Sequence, residues 1–227
     1  MGMFVNPDNS AFQVALNSEI YVDKTGMLEY TNKVINTLQG YICNSRPRRF
    51  GKSVTANMLA AYYSKGCDSR EMFSTLKISE SIGFEKNINK YDVIYIDFSR
   101  LPENCQTYEE YINRIKTGIK EDLLEEFPEL ELKEEMSLWD ILAKIFQKTN
   151  RKFMFIMDEW DAVFHMPFIS QKERQEYLLF LKNLLKDQVY VELAYMTGIL
   201  PIAKYSAASE LNMFVEYNMA TRERFSS

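Results

Sequence analysis

SRPRRFGKSVT, residues 45–55, follows an apolar run at residues 41–44 and opens an amphipathic stretch. A strand, a tight loop and a helix N-terminus in this order form the setting that a phosphate-binding loop requires, because free N–H groups at the start of a helix bind anions. The common pattern is a glycine, four residues of any type, and then Gly-Lys-Ser/Thr. Residues 51–53 match this pattern, whereas Arg46 stands at the position of the first glycine, so the match is degenerate.

The matching residues each have a defined role in binding phosphate. Gly51 lets the backbone approach a phosphate without a Cβ, Lys52 reaches the terminal phosphates as a point charge, and the Ser53 hydroxyl can ligate Mg²⁺. A chance Gly-Lys-Ser at a helix start is the alternative, but the strand before it and the helix after it favour function. The residues that we expect to contact a bound nucleotide are Arg46, Pro47, Arg48, Arg49, Phe50, Gly51, Lys52, Ser53 and Val54.

The three arginines of the loop have two possible roles. Arg46, Arg48 and Arg49 are either solvated or paired surface charges, or they contact phosphate. Phosphate contact would be made within the chain, or across the interface of a homo-oligomer as arginine fingers. The residue types do not separate these roles, and both stay open.

A second apolar run ends in carboxylates. FMFIMDEWD, residues 153–161, places Asp158 and Glu159 after five apolar residues. Asp158 stands where a Walker-B aspartate holds Mg²⁺, and Glu159 stands where a general base polarises the attacking water. Alternate residues of a strand point to opposite faces, so both reach one site only if the strand ends between them. A polar strand end without function is the alternative, and Asp161 could orient or pair with nearby cations.

The run VELAYMT, residues 191–197, supplies a third candidate. Thr197 stands at the tip of this predicted strand, where a hydroxyl can contact the γ-phosphate or position water; a cap or turn residue is the alternative. The candidate catalytic residues are therefore Glu159, Asp158 and Thr197, and the candidate metal ligands are Ser53 and Asp158.

The composition is that of an ordinary globular protein. Of 227 residues, 46% are hydrophobic and 14% aromatic, which excludes disorder over most of the chain. Lys and Arg number 27 and Asp and Glu 32, so the net charge is −5, and a pI near 5.2 argues against a surface that binds nucleic acid broadly. No apolar run reaches the ~20 residues of a membrane span. Three cysteines and an N-terminus unlike a signal peptide indicate a reducing, cytoplasmic setting.

Short apolar runs alternate with long amphipathic stretches, which predicts an α/β fold with a mostly parallel central sheet flanked by helices. The predicted strands are residues 41–44, 93–98, 153–158, 191–197 and, more weakly, 213–217. The predicted helices begin at Thr25, Lys52, Thr107, Ser137 and Ser170 and end near Leu38, Ser64, Phe127, Thr149 and Asp187. We expect the strands at 41–44, 153–158 and 191–197 to lie side by side, with one cleft at their carboxyl ends. The acidic stretch at residues 121–135 is interpreted as a solvated face, with an acidic partner surface as the alternative.

The motifs resemble those of the bacterial AAA-ATPase-like proteins, whose hallmark is an Arg-Pro-Arg-Arg-Phe-Gly-Lys-Ser loop, found here at residues 46–53. Three further blocks are similar in order and spacing. They are Tyr-Val-Asp-Lys-Thr at residues 21–25, Asp-Glu-Trp-Asp at 158–161 with Trp in place of Tyr, and Thr-Gly-Ile-Leu at 197–200 followed by Lys204, Ser206, Leu211 and Asn212.

The resemblance implies an AAA/ASCE-like P-loop NTPase fold that occupies residues 1–227 as a single domain, with ATP and Mg²⁺ as cofactors. Long members of the family continue into a C-terminal restriction-endonuclease-like nuclease domain, so we expect this chain to be the N-terminal part of a longer protein or a short relative. The resemblance also implies that residues 21–25, including Asp23, lie near the adenine or ribose. From the residues alone, this block is only a strand end followed by a helix cap at Thr25.

Three functions compete. The leading one is Mg-dependent ATP binding and hydrolysis coupled to conformational change, because no constellation for a second substrate is visible. The second is a nucleotide-gated switch with little turnover, which the missing first glycine favours and Glu159 opposes. The third is the DNA-associated ATPase domain of a nuclease-fused protein, in which the loop arginines meet DNA phosphates.

Overall fold

Five parallel strands form one sheet in the computed structural model of the chain, which describes residues 2–202 and 209–218. The strands are β1 (Tyr41–Ser45), β2 (Asp92–Asp97), β3 (Phe153–Asp158), β4 (Val191–Gly198) and β5 (Val215–Tyr217), in the order β2-β3-β4-β1-β5. The predicted adjacency of β3, β4 and β1 is confirmed, and every neighbouring pair is parallel. The α/β P-loop NTPase-like fold expected from the sequence is therefore the fold of the chain.

Eight α-helices cover the two faces of the sheet in the described ranges. They are α1 (Ser10–Leu16), α2 (Gly26–Val34), α3 (Lys52–Tyr63), α4 (Arg70–Phe73), α5 (Phe84–Asn87), α6 (Tyr108–Glu126), α7 (Leu138–Thr149) and α8 (Gln171–Leu185). Short 3₁₀ helices span Leu38–Gly40, Lys77–Glu80, Trp160–His165 and Ser209–Leu211. Within these described residues, no helix has the length and apolar character that a membrane span needs.

The burial of β3 on both faces explains why its sequence is continuously apolar. All six of its residues are buried. Phe155 and Met157 pack into the cluster that includes α6, α7 and α8, whereas Met154 and Ile156 pack into the cluster formed with helices α1 to α5. A parallel strand covered on both faces has no solvent-facing side, so alternation with polar residues is lost.

Two helix starts follow the sequence closely. Thr107 and Glu110 form a capping box at the start of α6, and Ser170 and Glu173 form another at the start of α8. In each, the hydroxyl accepts from a first-turn N–H while the glutamate accepts from the N–H of the cap residue. These local bonds fix where the helices begin.

The predicted cap at Thr25 is wrong in its chemistry. Thr25 has helical angles, φ −66° and ψ −14°, and its side chain makes no cap bond. Instead, the Asp23 carboxylate accepts from the Thr25 N–H at 2.8 Å and from its hydroxyl at 2.6 Å. The helix ends at Val34 rather than near Leu38, because the chain turns through Asn36 in the left-handed region, φ 56°.

Residues 4–6, the N-terminal strap, cover the edge of the sheet at β2. Val5 forms an antiparallel bridge with Ile94. Asp122 holds the strap in place, since its Oδ2 accepts from the N–H groups of Phe4 at 2.6 Å and Val5 at 3.0 Å. Asp122, a residue of the acidic stretch, is therefore not merely solvated. The strap that it holds shields an otherwise open strand edge.

A buried ion cluster lies at the opposite end of β2 from the strand's carboxyl end. Asp92 is 2% exposed; Lys65 Nζ lies 3.0 Å from its carboxylate and Arg151 Nε donates to it at 2.8 Å. Burial raises the pKa of Asp92, but the Arg151 hydrogen bond and the Lys65 charge outweigh burial, so the net pKa lies below the ordinary value. Asp92 is therefore ionised and compensated in the folded protein.

Candidate functional site

A cavity of about 480 Å³ opens beside the phosphate-loop stretch, near the carboxyl end of β3. Its lining residues are Arg48, Arg49, Gly51, Lys52, Ser53, Ser99 and Glu159. Six of these seven are site residues predicted from the sequence, and they come from two stretches about a hundred residues apart. The exception is Ser99, which follows β2 and carries no motif that would have revealed it.

The backbone of the loop turns sharply just before α3. Arg49 and Gly51 both adopt the left-handed region, with φ 69° and 71°, which is the conformation that favours glycine. A Cβ at Gly51 would also lie 2.6 Å from Lys24 Nζ. The helix begins at Lys52, so its first N–H groups, which have no partner within the helix, face the loop.

Lys52 lies inside the loop with its charge turned inward. The residue is 6% exposed; its Nζ donates to the Pro47 carbonyl at 3.3 Å and lies 3.5 Å from Glu159 Oε1. Among the described residues, the polar partners of this buried ammonium are one carbonyl and one carboxylate, so it retains capacity for a further anionic ligand.

Asp158 and Glu159 lie together at the carboxyl end of β3, because the strand ends between them. β3 stops at Asp158, and Glu159 has left-handed angles, φ 51° and ψ 45°. Glu159 then lines the cavity, while Asp158 is 2% exposed and the nearby Ser53 side chain acts to lower its pKa. The condition stated for a shared site is thus met, and Asp158 and Glu159 both lie at the carboxyl end of β3.

The environment of Asp158 suits a hard cation. Burial raises its pKa to about 6, the Ser53 hydrogen bond opposes this rise, and the negative charges of Asp97 and Glu159 add to it. A carboxylate in such a place is stabilised in its ionised form by a neighbouring cation. Carboxylate and hydroxyl oxygens are the ligands that Mg²⁺ prefers, so the pair Ser53 and Asp158 fits the metal that the sequence predicts.

Thr197 lies at the end of β4 and is fully buried. Its hydroxyl donates to the Asn44 carbonyl of β1 at 3.0 Å, and it does not line the cavity. The structure therefore shows Thr197 linking two central strands, and its predicted contact with a γ-phosphate stays a prediction.

The remaining predicted residues lie around the loop rather than in the cavity. Pro47 and Phe50 are exposed, and Arg46 is half-buried. Asp23 accepts from the Lys77 N–H at 2.9 Å, and none of its hydrogen bonds within the described residues involves the phosphate loop. The block at residues 21–25 does reach the loop through a residue that the sequence analysis did not single out, since Lys24 Nζ donates to the Phe50 carbonyl at 2.7 Å.

Asp161 binds backbone groups rather than a cation. It is 1% exposed, and its Oδ2 accepts from the N–H groups of Ile199 at 3.0 Å and Leu200 at 2.9 Å. Gly198 is required beside it, because a Cβ there would lie 2.6 Å from both Asp161 Oδ1 and the Trp160 ring. Asp161 thus fixes the chain as it leaves β4.

A second carboxylate holds the same segment from the other side. Glu216 of β5 accepts from the Ile202 N–H at 3.2 Å and from the Ser45 hydroxyl at 2.8 Å. Residues 199–202, which we call the β4 exit segment, are therefore held between the 3₁₀ helix after β3 and the edge strand β5. Gly198, the residue just before this segment, adjoins the phosphate loop, since its carbonyl accepts from the Arg46 N–H at 3.0 Å.

Comparison with known proteins gives one family match and distant structural neighbours. A family model described as "Predicted AAA-ATPase" matches residues 10–208. The ORC2 protein of Aeropyrum pernix, solved as ADPNP-ADP complexes, is 11% identical with a TM-score of 0.43 over 88% of this chain. The ORC1 protein of Aeropyrum pernix in complex with DNA is 14% identical with a TM-score of 0.44 over 96%. The chain spans about half the length of each, 50% in both cases, and no curated protein matches it.

Proposed function

We propose that this chain, which belongs to the predicted AAA-ATPase family and is an ATP-binding P-loop module, hydrolyses ATP with Mg²⁺ at the cavity beside residues 46–53. The observation that carries the proposal is convergence. Lys52, Ser53 and Glu159 come from two separate motifs and line one cavity, and Asp158 stands next to Glu159 at the end of β3. Phosphate binding, metal binding and activation of water each need one of these groups.

The geometry supports one proposed role for each residue. Gly51 and the first N–H groups of α3 receive the phosphates, and Lys52 exchanges the Pro47 carbonyl and Glu159 for phosphate oxygen. Ser53 and Asp158 would hold Mg²⁺, which neutralises charge on the phosphate oxygens. Glu159, released from Lys52, is then free to accept a proton from water.

Substitution of Lys52 tests the binding proposal. Mg-ATP should raise the melting temperature of the wild type, because a ligand at ~100 times its Kd stabilises the folded state by about 2.7 kcal/mol. Lys52→Ala should lose most of this shift, whereas Lys33→Ala, which removes a cation from the separate helix α2, should keep it. An unchanged shift in Lys52→Ala would exclude residues 51–53 as the phosphate cradle.

A nucleotide-gated switch is the second candidate, and the Lys52–Glu159 contact favours it. Glu159, the proposed base, lies 3.5 Å from Lys52, the proposed phosphate-binding cation. A bound phosphate would therefore alter the contact between these two residues whether or not ATP is hydrolysed. Tight binding of Mg-ATP without phosphate release under any condition would select the switch over the hydrolase.

The possible partners are proposed from the position of two loop arginines. Arg48 and Arg49 are exposed at the cavity, where they are placed to meet a second copy of the chain or a DNA phosphate. A finger supplied by another copy makes activity per chain rise with protein concentration, whereas a DNA partner makes it rise with added DNA. A C-terminal nuclease domain would favour the DNA partner.

A further inference from the structure

A second cavity, of about 240 Å³, lies beside the N-terminal strap and shares no lining residue with the cavity at the phosphate loop. Its walls come from the strap, α1, α3, β2 and α6. Apolar side chains from four of these elements line it, namely Phe4, Ala11, Ala60 and Ile115. Since an apolar cavity of roughly 150 Å³ holds a molecule the size of benzene, this one has room for a single ring or a short branched chain.

Contacts between elements hold the walls of this cavity in place. The Phe4 ring packs directly on Gly118 of α6, where a Cβ would lie 2.4 Å from it, and the Asp122 carboxylate accepts from the Phe4 N–H at 2.6 Å. On another wall, the Tyr95 hydroxyl of β2 donates to Asn57 Oδ1 of α3 at 2.9 Å. The cavity is therefore formed before any ligand arrives, as is usual for sites that bind small molecules.

Two arginines line the cavity, and they differ in their partners. Arg100 Nε donates to the Asp97 carboxylate at 3.0 Å, so these two charges compensate each other. Arg114 of α6 forms no ion pair with any residue in the described ranges. Glu110, one turn earlier on α6, accepts from two backbone N–H groups at the start of the helix instead. Arg114 is thus a cation of the wall that is available to an anion from outside the chain.

Charge and shape together specify the anion. An apolar interior beside one available guanidinium fits a molecule with an apolar body and an anionic end, and a guanidinium pairs with a carboxylate through two parallel hydrogen bonds. Asp8 also lines the cavity, with its Oδ1 accepting from the Ser10 hydroxyl at 2.6 Å. A doubly charged phosphate would be repelled by this carboxylate, whereas a single carboxylate balances Arg114 without excess charge.

We propose that this cavity binds a small organic monocarboxylate, with its carboxylate on Arg114 and its apolar body against Phe4 and Ile115. The site does not depend on the proposed ATP hydrolysis, because the residues that line it are different. The two cavities are nevertheless neighbours, since Asp97 lines this one and Ser99 lines the other. A test must therefore distinguish them.

Titration of the 227-residue chain with 3-phenylpropionate, followed by amide NMR, tests the site. Signals of residues 4–11, 57–60 and 114–115 should shift in a saturable way, with or without Mg-ATP. Arg114→Gln should raise the Kd of the probe about tenfold, the loss of a charge-assisted hydrogen bond, and Arg114→Lys should raise it less. Ala11→Trp, which fills the cavity from an exposed position on α1, should abolish binding. Lys148→Gln, which removes an exposed cation from α7, should change nothing.

Two further ligands separate the parts of the proposed occupant. 3-Phenylpropionamide lacks the charge and acetate lacks the apolar body, so each should bind more weakly than 3-phenylpropionate. Equal binding of the amide, or an unchanged Kd in Arg114→Gln, would overturn the carboxylate site. Displacement of the probe by Mg-ATP would assign it to the phosphate-loop cavity and overturn the proposal as well, as would the absence of saturable shifts. Arg114 and Ala11 are both exposed, so the variants should fold, which their melting temperatures will check.

Discussion

Lys52 and Glu159 contact each other at 3.5 Å, so the residue proposed to bind phosphate also compensates the residue proposed to activate water. A phosphate that draws Lys52 away would leave the Glu159 carboxylate without this counter-charge. The contact therefore connects the proposed phosphate-binding residue directly to the proposed base.

Glu159→Gln should separate binding from chemistry. The amide keeps the shape of the side chain but cannot take a proton, so Mg-ATP should still raise the melting temperature while phosphate release falls by about 10²–10⁴-fold. Phosphate release by the variant and the wild type is the measurement, with Glu125→Gln on the exposed side of α6 as the control. Wild-type turnover that survives in Glu159→Gln would refute the base assignment.

At the scale of single residues, the sequence was enough to predict those whose role is defined by a short motif. Lys52, Ser53, Asp158 and Glu159 stand in motifs whose chemistry depends on a few adjacent residues, and the structure brings them to one place. The contact of Lys24 with Phe50 could not be predicted, because it joins residues 26 positions apart through a fold not yet known.

Among the elements, the β4 exit segment depends most on single side chains. Asp161→Ala removes the acceptor of two backbone N–H groups, those of Ile199 and Leu200. We expect a loss of about 1–3 kcal/mol in the free energy of unfolding, the cost of leaving buried donors unpaired. Asp161→Asn keeps one acceptor oxygen and should lose less.

Hydrogen exchange at residues 199–202 distinguishes this local role from a general one. Protection should fall at the β4 exit segment in Asp161→Ala while β2 and α6 keep theirs, because only the segment loses its acceptor. Unchanged protection at Ile199 and Leu200 would show that Asp161 does not hold the segment.

The elements were predictable where their ends are set locally. The capping boxes at Thr107 and Ser170 involve residues three positions apart, and they form as expected. The start of α2 at Thr25 was predicted, but its cap hydrogen bond and its end were not, because they depend on the Asp23 side chain and on the left-handed backbone of Asn36. The sequence before a helix looks the same whether or not the threonine side chain makes a cap hydrogen bond.

For the whole molecule, continuous apolar runs and their alternation with amphipathic stretches were enough to predict a parallel sheet with β3, β4 and β1 side by side. They could not predict the N-terminal strap, since the bridge between Val5 and Ile94 joins segments 89 positions apart with no motif in either. Nor could they predict the partner of Asp92, which depends on where Arg151 falls in three dimensions.

Stability in acid should depend on Asp92. Its pKa is lowered in the folded state, so its contribution is present above the unfolded value near 3.8 and is lost as the pH falls through the lower folded value. Asp92→Asn should lower the free energy of unfolding by about 1–3 kcal/mol at pH 7. The loss is limited because Lys65 and Arg151 are partly exposed, so water compensates part of their unpaired charge. Urea unfolding at neutral and acidic pH should show the gap between wild type and variant narrowing below about pH 4; a gap independent of pH would contradict the ion cluster's role.

The place of β1 in the sheet has a consequence for how the protein is made. β1 and the phosphate loop are synthesised early, yet both lateral neighbours of β1, β4 and β5, come from the last third of the sequence. The Ser45 hydroxyl at the start of the loop meets Glu216, 171 positions later. Since a chain leaves the ribosome from its N-terminus, the loop emerges with no strand on either side, and it reaches its final shape only when residues up to 217 have followed. A nascent chain that is stopped before β5 therefore carries the whole phosphate-binding motif without the complete sheet that holds it.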